Sequence, residues 1–117
     1  MSGKKVVIGI VEKIKIKGNN KSKEVEARID TGATKSSVDS TLAAELKLGP
    51  VIKTKFVRSA TGRSLRPIVK MKFRIAKKKM EEEFTLADRK RMKYPVLIGQ
   101  NVLKKGFLID PSKVSPK

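Results

Sequence analysis

Apolar positions along this chain alternate with polar ones far more often than they recur at helical spacing. The stretch VEKIKI, Val11 to Ile16, sets β-branched residues against charge and continues an apolar start at Val6, which predicts a half-buried strand from Val6 to Ile16. After the polar turn KGNNKSK, Val25, Ala27 and Ile29 alternate with Glu24, Glu26 and Arg28, so a second strand should end at Asp30. A short apolar and hydroxyl run follows Thr31 and Gly32 as far as Val38. TLAAELKL then predicts a short helix with Leu42, Leu46 and Ala43 inward, capped by Asp39 or Ser40 and stopped by Gly49 and Pro50.

The middle of the chain predicts a hairpin. VIKTKFVRSA and SLRPIVKMKFRIA both carry alternating apolar residues, and ATGR between them supplies Gly62 for the turn. KKKMEEEFTLADR adds another turn and strand. YPVLIGQNVLKKGFLIDPSK predicts a buried strand from Val96 to Ile98, a helical turn after Gly99 and a last strand from Phe107 to Ile109. Many short strands with one or two short helices indicate an all-β class, a small closed or sandwiched fold.

At 117 residues the chain is expected to be a single domain, 1–117, with 111–117 frayed. No Cys and no His are present, which excludes disulfides, thiolate nucleophiles, imidazole bases and the usual zinc ligand sets, so no metal and no cofactor is expected. No apolar run is long enough for a membrane span, and charge at Glu12 and Lys13 interrupts the N-terminal region before a signal sequence could form, giving a cytoplasmic expectation. The 29 Lys and Arg against 11 Asp and Glu leave a net charge of +18. Such a charge attracts acidic partners, RNA or acidic peptide, or else only solvates a Lys-rich surface. With four Phe, one Tyr and no Trp, a base-stacking platform is missing.

Against that background one carboxylate stands out. Asp30 ends a strand and is followed by Thr31 and Gly32, an arrangement in which the glycine lets the backbone approach the carboxylate and point an N–H at it, while the Thr hydroxyl can lock the turn. Taken alone, the tripeptide also suits a plain turn. In PVLIGQN, however, an apolar strand runs into Gly99 and a helical turn 69 positions after Asp30. Together these features resemble the retropepsins, single-domain aspartic proteases whose Asp-Thr-Gly-Ala loop and Gly-Arg-Asn closing motif bracket a flap hairpin. Asp30, Thr31, Gly32 and Ala33 match the loop; Ile98, Gly99 and Asn101 match the closing motif; Ala60, Thr61 and Gly62 fall at the flap tip. IDTGATKSS, RSATGRSLRPIV and FTLADRKRMKYPVLIGQNVLKKGFLIDPSK are similar to the retropepsin-like proteins linked to RimK-type glutamate ligases, which often carry the label of ATP-dependent zinc proteases.

The resemblance implies a closed retropepsin-like acid-protease barrel and a peptidase acting on, or associated with, glutamate-modified proteins such as a ribosomal protein. It implies catalysis by Asp30 supported by Thr31 and Gly32, with Ala33, Thr34, Ile98, Gly99, Gln100 and Asn101 bracing the site. Retroviral members place an ion pair where this chain has Thr34 and Gln100, so a neutral hydrogen bond is expected to replace it. No second Asp-Ser/Thr-Gly occurs, so the second carboxylate of an aspartic dyad must come from another copy and the active form should be a homodimer. Arg58, Arg63 and Arg66 on the flap are candidates for gripping an acidic peptide substrate. The rival reading is a catalytically idle module docking on a RimK-type ligase, the ribosome or RNA. A zinc peptidase is disfavoured by the missing ligands.

Overall fold

A computed structural model describes residues 4–59 and 62–113. The strands are β1 (Val6–Ile8), β2 (Val11–Lys17), β3 (Ser22–Ile29), β4 (Ser36–Asp39), β5 (Val51–Ser59), β6 (Gly62–Ile75), β7 (Lys78–Ala87), β8 (Val96–Ile98) and β9 (Phe107–Ile109). Two short helices, α1 (Ser40–Glu45) and α2 (Gln100–Leu103), follow β4 and β8.

Six strands close into a barrel. The order β2-β3-β8-β4-β7-β6 returns to its start because Ile14 to Lys17 of β2 also pair with Lys72 to Ile75 of β6. The first half of β6 pairs instead with β5, so β5 and β6 project from the barrel as a hairpin. The all-β closed fold expected from the sequence is thus the observed one. Inward positions fill the barrel: Ile14, Ile16, Ala27, Ile29, Met71, Phe73, Ile75, Phe84, Val96 and Ile98 are all buried. Phe73 and Phe84 meet edge to face at 5.4 Å between centroids.

The first predicted strand is broken in two. Gly9 and Ile10 separate β1, which pairs in parallel with β9, from β2, which enters the barrel. The inward phase of β2 also includes Glu12, which is buried; its carboxylate accepts the Gly9 N–H at 2.8 Å and so satisfies the backbone at the break. Asp39 is the helix cap, its Oδ2 accepting from the Leu42 N–H at 3.2 Å, and Leu42, Ala43 and Leu46 face inward as expected. Pro111 to Lys113 form a turn in which the Lys113 ammonium donates to the Val7 carbonyl at 2.7 Å; 114–117 lie outside the described residues.

One carboxylate ties the root of the hairpin to the barrel. Glu83 on β7 lies 3.3 Å from Lys53 on β5 and 3.6 Å from Lys35 before β4. Burial raises the pKa of Glu83, but the positive charges of Lys53 and Lys35 outweigh it and hold the carboxyl below its usual value. A group whose pKa is depressed by folding stabilises the fold above its unfolded value and ceases to do so as the pH falls through the folded one. Glu83→Gln should therefore lower the melting temperature by no more than about 5 °C at neutral pH, with the gap closing as the pH drops below about 4. Thermal scans of both proteins across that range check this; a gap independent of pH would mean the two ion pairs contribute nothing.

Candidate active site

Asp30 and Gly99 stand side by side because they end two parallel strands. β3 and β8 pair in register Ala27 with Val96, Arg28 with Leu97 and Ile29 with Ile98, and the ladder continues as the Asp30 N–H donates to the Ile98 carbonyl at 2.9 Å. β8 also pairs with β4, through Ser37 with Leu97 and Val38 with Val96. The loop from β3 to β4 must therefore arch over the end of β8, and Gly99 lies beneath the arch.

The approach is close. A Cβ at Gly99 would stand 2.5 Å from the Lys35 carbonyl oxygen and 2.8 Å from that of Ala33. Donors from the far side fasten the arch: the Gln100 N–H to the Ala33 carbonyl at 2.8 Å, the Asn101 N–H to the Thr34 carbonyl at 3.2 Å, and the Gln100 side-chain amide to the Thr31 carbonyl at 2.8 Å. Below it, the buried Ser36 hydroxyl accepts the Gly99 N–H at 2.9 Å and donates to the Asn101 side-chain carbonyl at 2.7 Å. The Asn101 amide group then donates to the Glu83 carbonyl at 2.9 Å, so a satisfied polar chain joins β4, α2 and β7.

At the crown of the arch the Gly32 N–H donates to Asp30 Oδ1 at 2.9 Å, the contact expected from the Asp-Thr-Gly order. Asp30 is half-buried, and Thr31 is exposed. Among the described residues the Thr31 hydroxyl donates no hydrogen bond, so within one chain it does not lock the turn. A neutral brace does replace the ion pair, but Gln100 reaches the Thr31 carbonyl and not the Thr34 side chain.

Beside the arch, under the hairpin, lies a groove of about 400 Å³ bordered by Lys35, Lys55, Arg66 and Arg89 with Asp88 as its one carboxylate. Arg66, one of the three flap arginines, borders this groove, and its Nε is buried with no hydrogen-bond partner among the described residues. Arg63 instead lies over the Phe56 ring at 4.8 Å, and Arg58 is its cross-strand partner, away from the groove lining. Gly62 opens β6 at φ +126°, whereas Ala60 and Thr61 lie outside the described residues. Another cavity, of about 440 Å³, is lined by Lys15, Ser22 and Arg74 among others, where β2 ends and β3 begins, away from Asp30.

Arg89 was not anticipated. Its N–H donates to Asp39 Oδ1 at 2.8 Å and its Nε to the Tyr94 carbonyl at 3.0 Å, which fixes the guanidinium where both Asp39 and Asp30 feel its charge. Burial, then the charge of Arg28, lowers its pKa, and the carboxylates of Asp39 and Asp30 oppose this. It stays cationic throughout the neutral and acid range. The only sequence signal for it was its place in the ADRK turn before the closing strand. Ser36, equally unanticipated, sat inconspicuously in the hydroxyl run TKSS.

A model of the RimB-like family, described as the retropepsin-like aspartic endopeptidase RimB, matches residues 38–115. The chain belongs to that family. The matched stretch begins after Asp30, so the Asp-Thr-Gly loop is a separate observation that agrees with it. Among solved structures, a Legionella pneumophila protein of unknown function is similar at a TM-score of 0.68 and 22% identity, over 94% of this chain and 96% of that one. EIAV protease complexed with the inhibitor HBY-793 is similar at 0.64 and 15% identity, over 80% and 84%. A retropepsin-like aspartic protease from Rickettsia conorii is similar at 0.57 and 22%, over 84% and 82%. At these identities the likeness establishes the fold. No curated protein matches the sequence. The zinc in the alternative family label does not fit this RimB-like chain: it has no His or Cys, and among the described residues no three carboxylates converge.

The two glycines of the site should answer differently to substitution. Gly99→Ala forces backbone against backbone and is expected to cost about 3 kcal/mol or more, while Gly32→Ala meets only Asp30 Oδ1 at 3.3 Å and should cost under about 1 kcal/mol. Denaturant midpoints of the two variants test this; equal losses would show that the arch is not held by close approach at Gly99.

Proposed function

We propose that the chain is a homodimeric aspartic endopeptidase in which Asp30 of two copies forms the catalytic dyad. The observation that carries this is the Asp30 carboxylate, oriented by the Gly32 N–H and presented half-buried at the crown of the arch in a member of an endopeptidase family. Aspartic-protease chemistry needs one carboxylate to take a proton from water and one carboxyl to donate a proton to the scissile carbonyl. Among the described residues Asp39, the next carboxylate along the chain, is committed to the Leu42 and Arg89 N–H groups. Two carboxylates about 3 Å apart repel by about 5 kcal/mol at an effective dielectric of about 20, so a facing pair holds one proton between them.

Two surfaces suit this reading. Val7 and Leu108, register partners on β1 and β9, are 41% and 51% exposed, and Ile10 beside them 53%, an apolar patch on the terminal strands suited to covering by a second copy. On the hairpin Phe56 and Leu65 pair across the strands, both more than half exposed, on the face opposite the one from which Lys55 and Arg66 border the basic groove. A peptide entering the groove meets Lys35, Lys55, Arg66 and Arg89, so acidic peptides, glutamate-modified ones first, are the substrate class, and a RimK-type ligase that makes such products is the fitting partner. The uncompensated Arg66 and its cross-strand neighbour Lys55 suit a substrate carboxylate between them.

The test is peptide cleavage by the wild type and by Asp30→Asn, on a Glu-rich peptide and its Gln counterpart, at acid and neutral pH and two salt concentrations. Cleavage that Asp30→Asn abolishes, with kcat/KM for the Glu-rich peptide higher and falling as salt rises, is expected. Undiminished cleavage by the variant would overturn the assignment, and equal kcat/KM for both peptides would overturn the acidic preference alone.

A further inference from the structure

Away from Asp30, the closed side of the barrel carries a cluster of cations. Lys15 faces Arg74 and Lys17 faces Lys72 where β2 pairs with β6, and Arg74 faces Lys79 where β6 pairs with β7. Three like-charge oppositions thus occur within two adjacent rows of one sheet, a placement that costs stability unless an anion lies over it. Glu24 ends the first row beside Lys15, and Glu81 ends the second beside Lys72, where it borders both cavities of this face. Among the described residues none of Lys15, Lys17, Lys72, Arg74 and Lys79 lies within ion-pairing distance of a carboxylate, and all are exposed.

The surface is a trough. The cavity of about 440 Å³ lined by these five residues adjoins one of about 390 Å³ that shares Lys17, Lys72 and Glu81 and adds Lys47 and Lys70. The two lie side by side across Lys17 and Lys72, so their cations extend over a surface longer than either cavity, which suits a long polyanion better than a single ion. Along β3, Glu24, the partner of Lys15, lies six residues from Asp30, or about 20 Å. The trough shares no lining residue with the groove under the hairpin.

We infer that this trough binds the phosphate backbone of a nucleic-acid duplex. Affinity there must come from charge, because Phe73 on its floor is buried and no exposed aromatic side chain lines either cavity for stacking on bases. An extended peptide finds no hydrogen-bonding edge, since β2 and this half of β6 are paired on both sides. A folded acidic protein would require the apolar centre that stable interfaces have, and the trough offers only Met80, half-buried, and Leu48. Lysine outnumbers arginine six to one among its cations, which suits point-charge contact with phosphate and not bidentate pairing with planar carboxylates. Recognition is of the backbone and independent of base sequence.

The experiment is fluorescence anisotropy of the full chain with labelled 20-base-pair RNA and DNA duplexes of unrelated sequences, between about 50 and 200 mM salt. Both duplexes should bind, with affinity falling steeply as salt rises. Replacing Lys15, Lys17, Lys72 and Arg74 together by Gln should weaken binding more than tenfold and flatten the log–log salt slope by about one for each phosphate that is no longer neutralised. A charge-matched control, Lys5, Lys90, Arg91 and Lys104 to Gln, should change affinity less than threefold. The trough variant should melt no lower than wild type, since it relieves like-charge oppositions, and the pair Lys15→Gln and Lys72→Gln should show an intermediate weakening. Asp30→Asn should bind as wild type does, which separates this inference from the peptidase reading. Equal weakening in trough and control variants, no duplex binding, or capture of a poly-glutamate chain in the trough in preference to duplex would each overturn it.

Discussion

The geometry at Asp30 depends on one backbone contact, the passage of Gly99 beneath the carbonyls of Ala33 and Lys35. Because β3 and β4 lie on either side of β8, the chain between them has no route except over the end of β8, and only a residue without Cβ lets it pass at that distance. The arch then receives three hydrogen bonds from Gln100 and Asn101, whose amides are presented as α2 begins. Asp30 itself makes few contacts. Its position is set by what lies under and behind it, so the carboxylate is left open on the side where chemistry would occur.

Charge is distributed around this frame unevenly. Three carboxylates hold junctions of the fold: Glu12 at the break between β1 and β2, Asp39 at the start of α1 and the turn before Arg89, and Glu83 where the hairpin leaves the barrel. Cations, by contrast, face solvent in uncompensated rows on the closed side of the barrel. A closed barrel lets a protein of +18 carry such rows, since every ladder of the ring is satisfied internally and stability rests on the apolar interior.

How much of this was legible follows the range of the interactions. Strand alternation in VEARI and KMKFRI is local, and so is the Asp30-Thr31-Gly32 order; both translated directly into structure. The split at Gly9 and the burial of Glu12 were hidden because a single inward carboxylate looks like an error in an alternating pattern until its backbone partner is known. Pairing Thr34 with Gln100 by motif position pointed to the right neighbourhood and the wrong acceptor, since the amide side chain reaches a different carbonyl of the arch. Arg89, Ser36 and the cation rows depend on cross-strand register between segments tens of residues apart, which a single sequence does not print.

Whether Asp30 works in a pair formed by two chains is open to a direct measurement. Wild-type protein and Asp30→Asn are mixed in varying proportion at fixed total concentration, allowed to exchange subunits, and assayed for peptide cleavage. If each active site needs one Asp30 from each of two copies, mixed dimers are dead and activity falls as the square of the wild-type fraction. Activity that falls in simple proportion to the wild-type fraction would mean that a single chain carries the whole site, and would contradict the account.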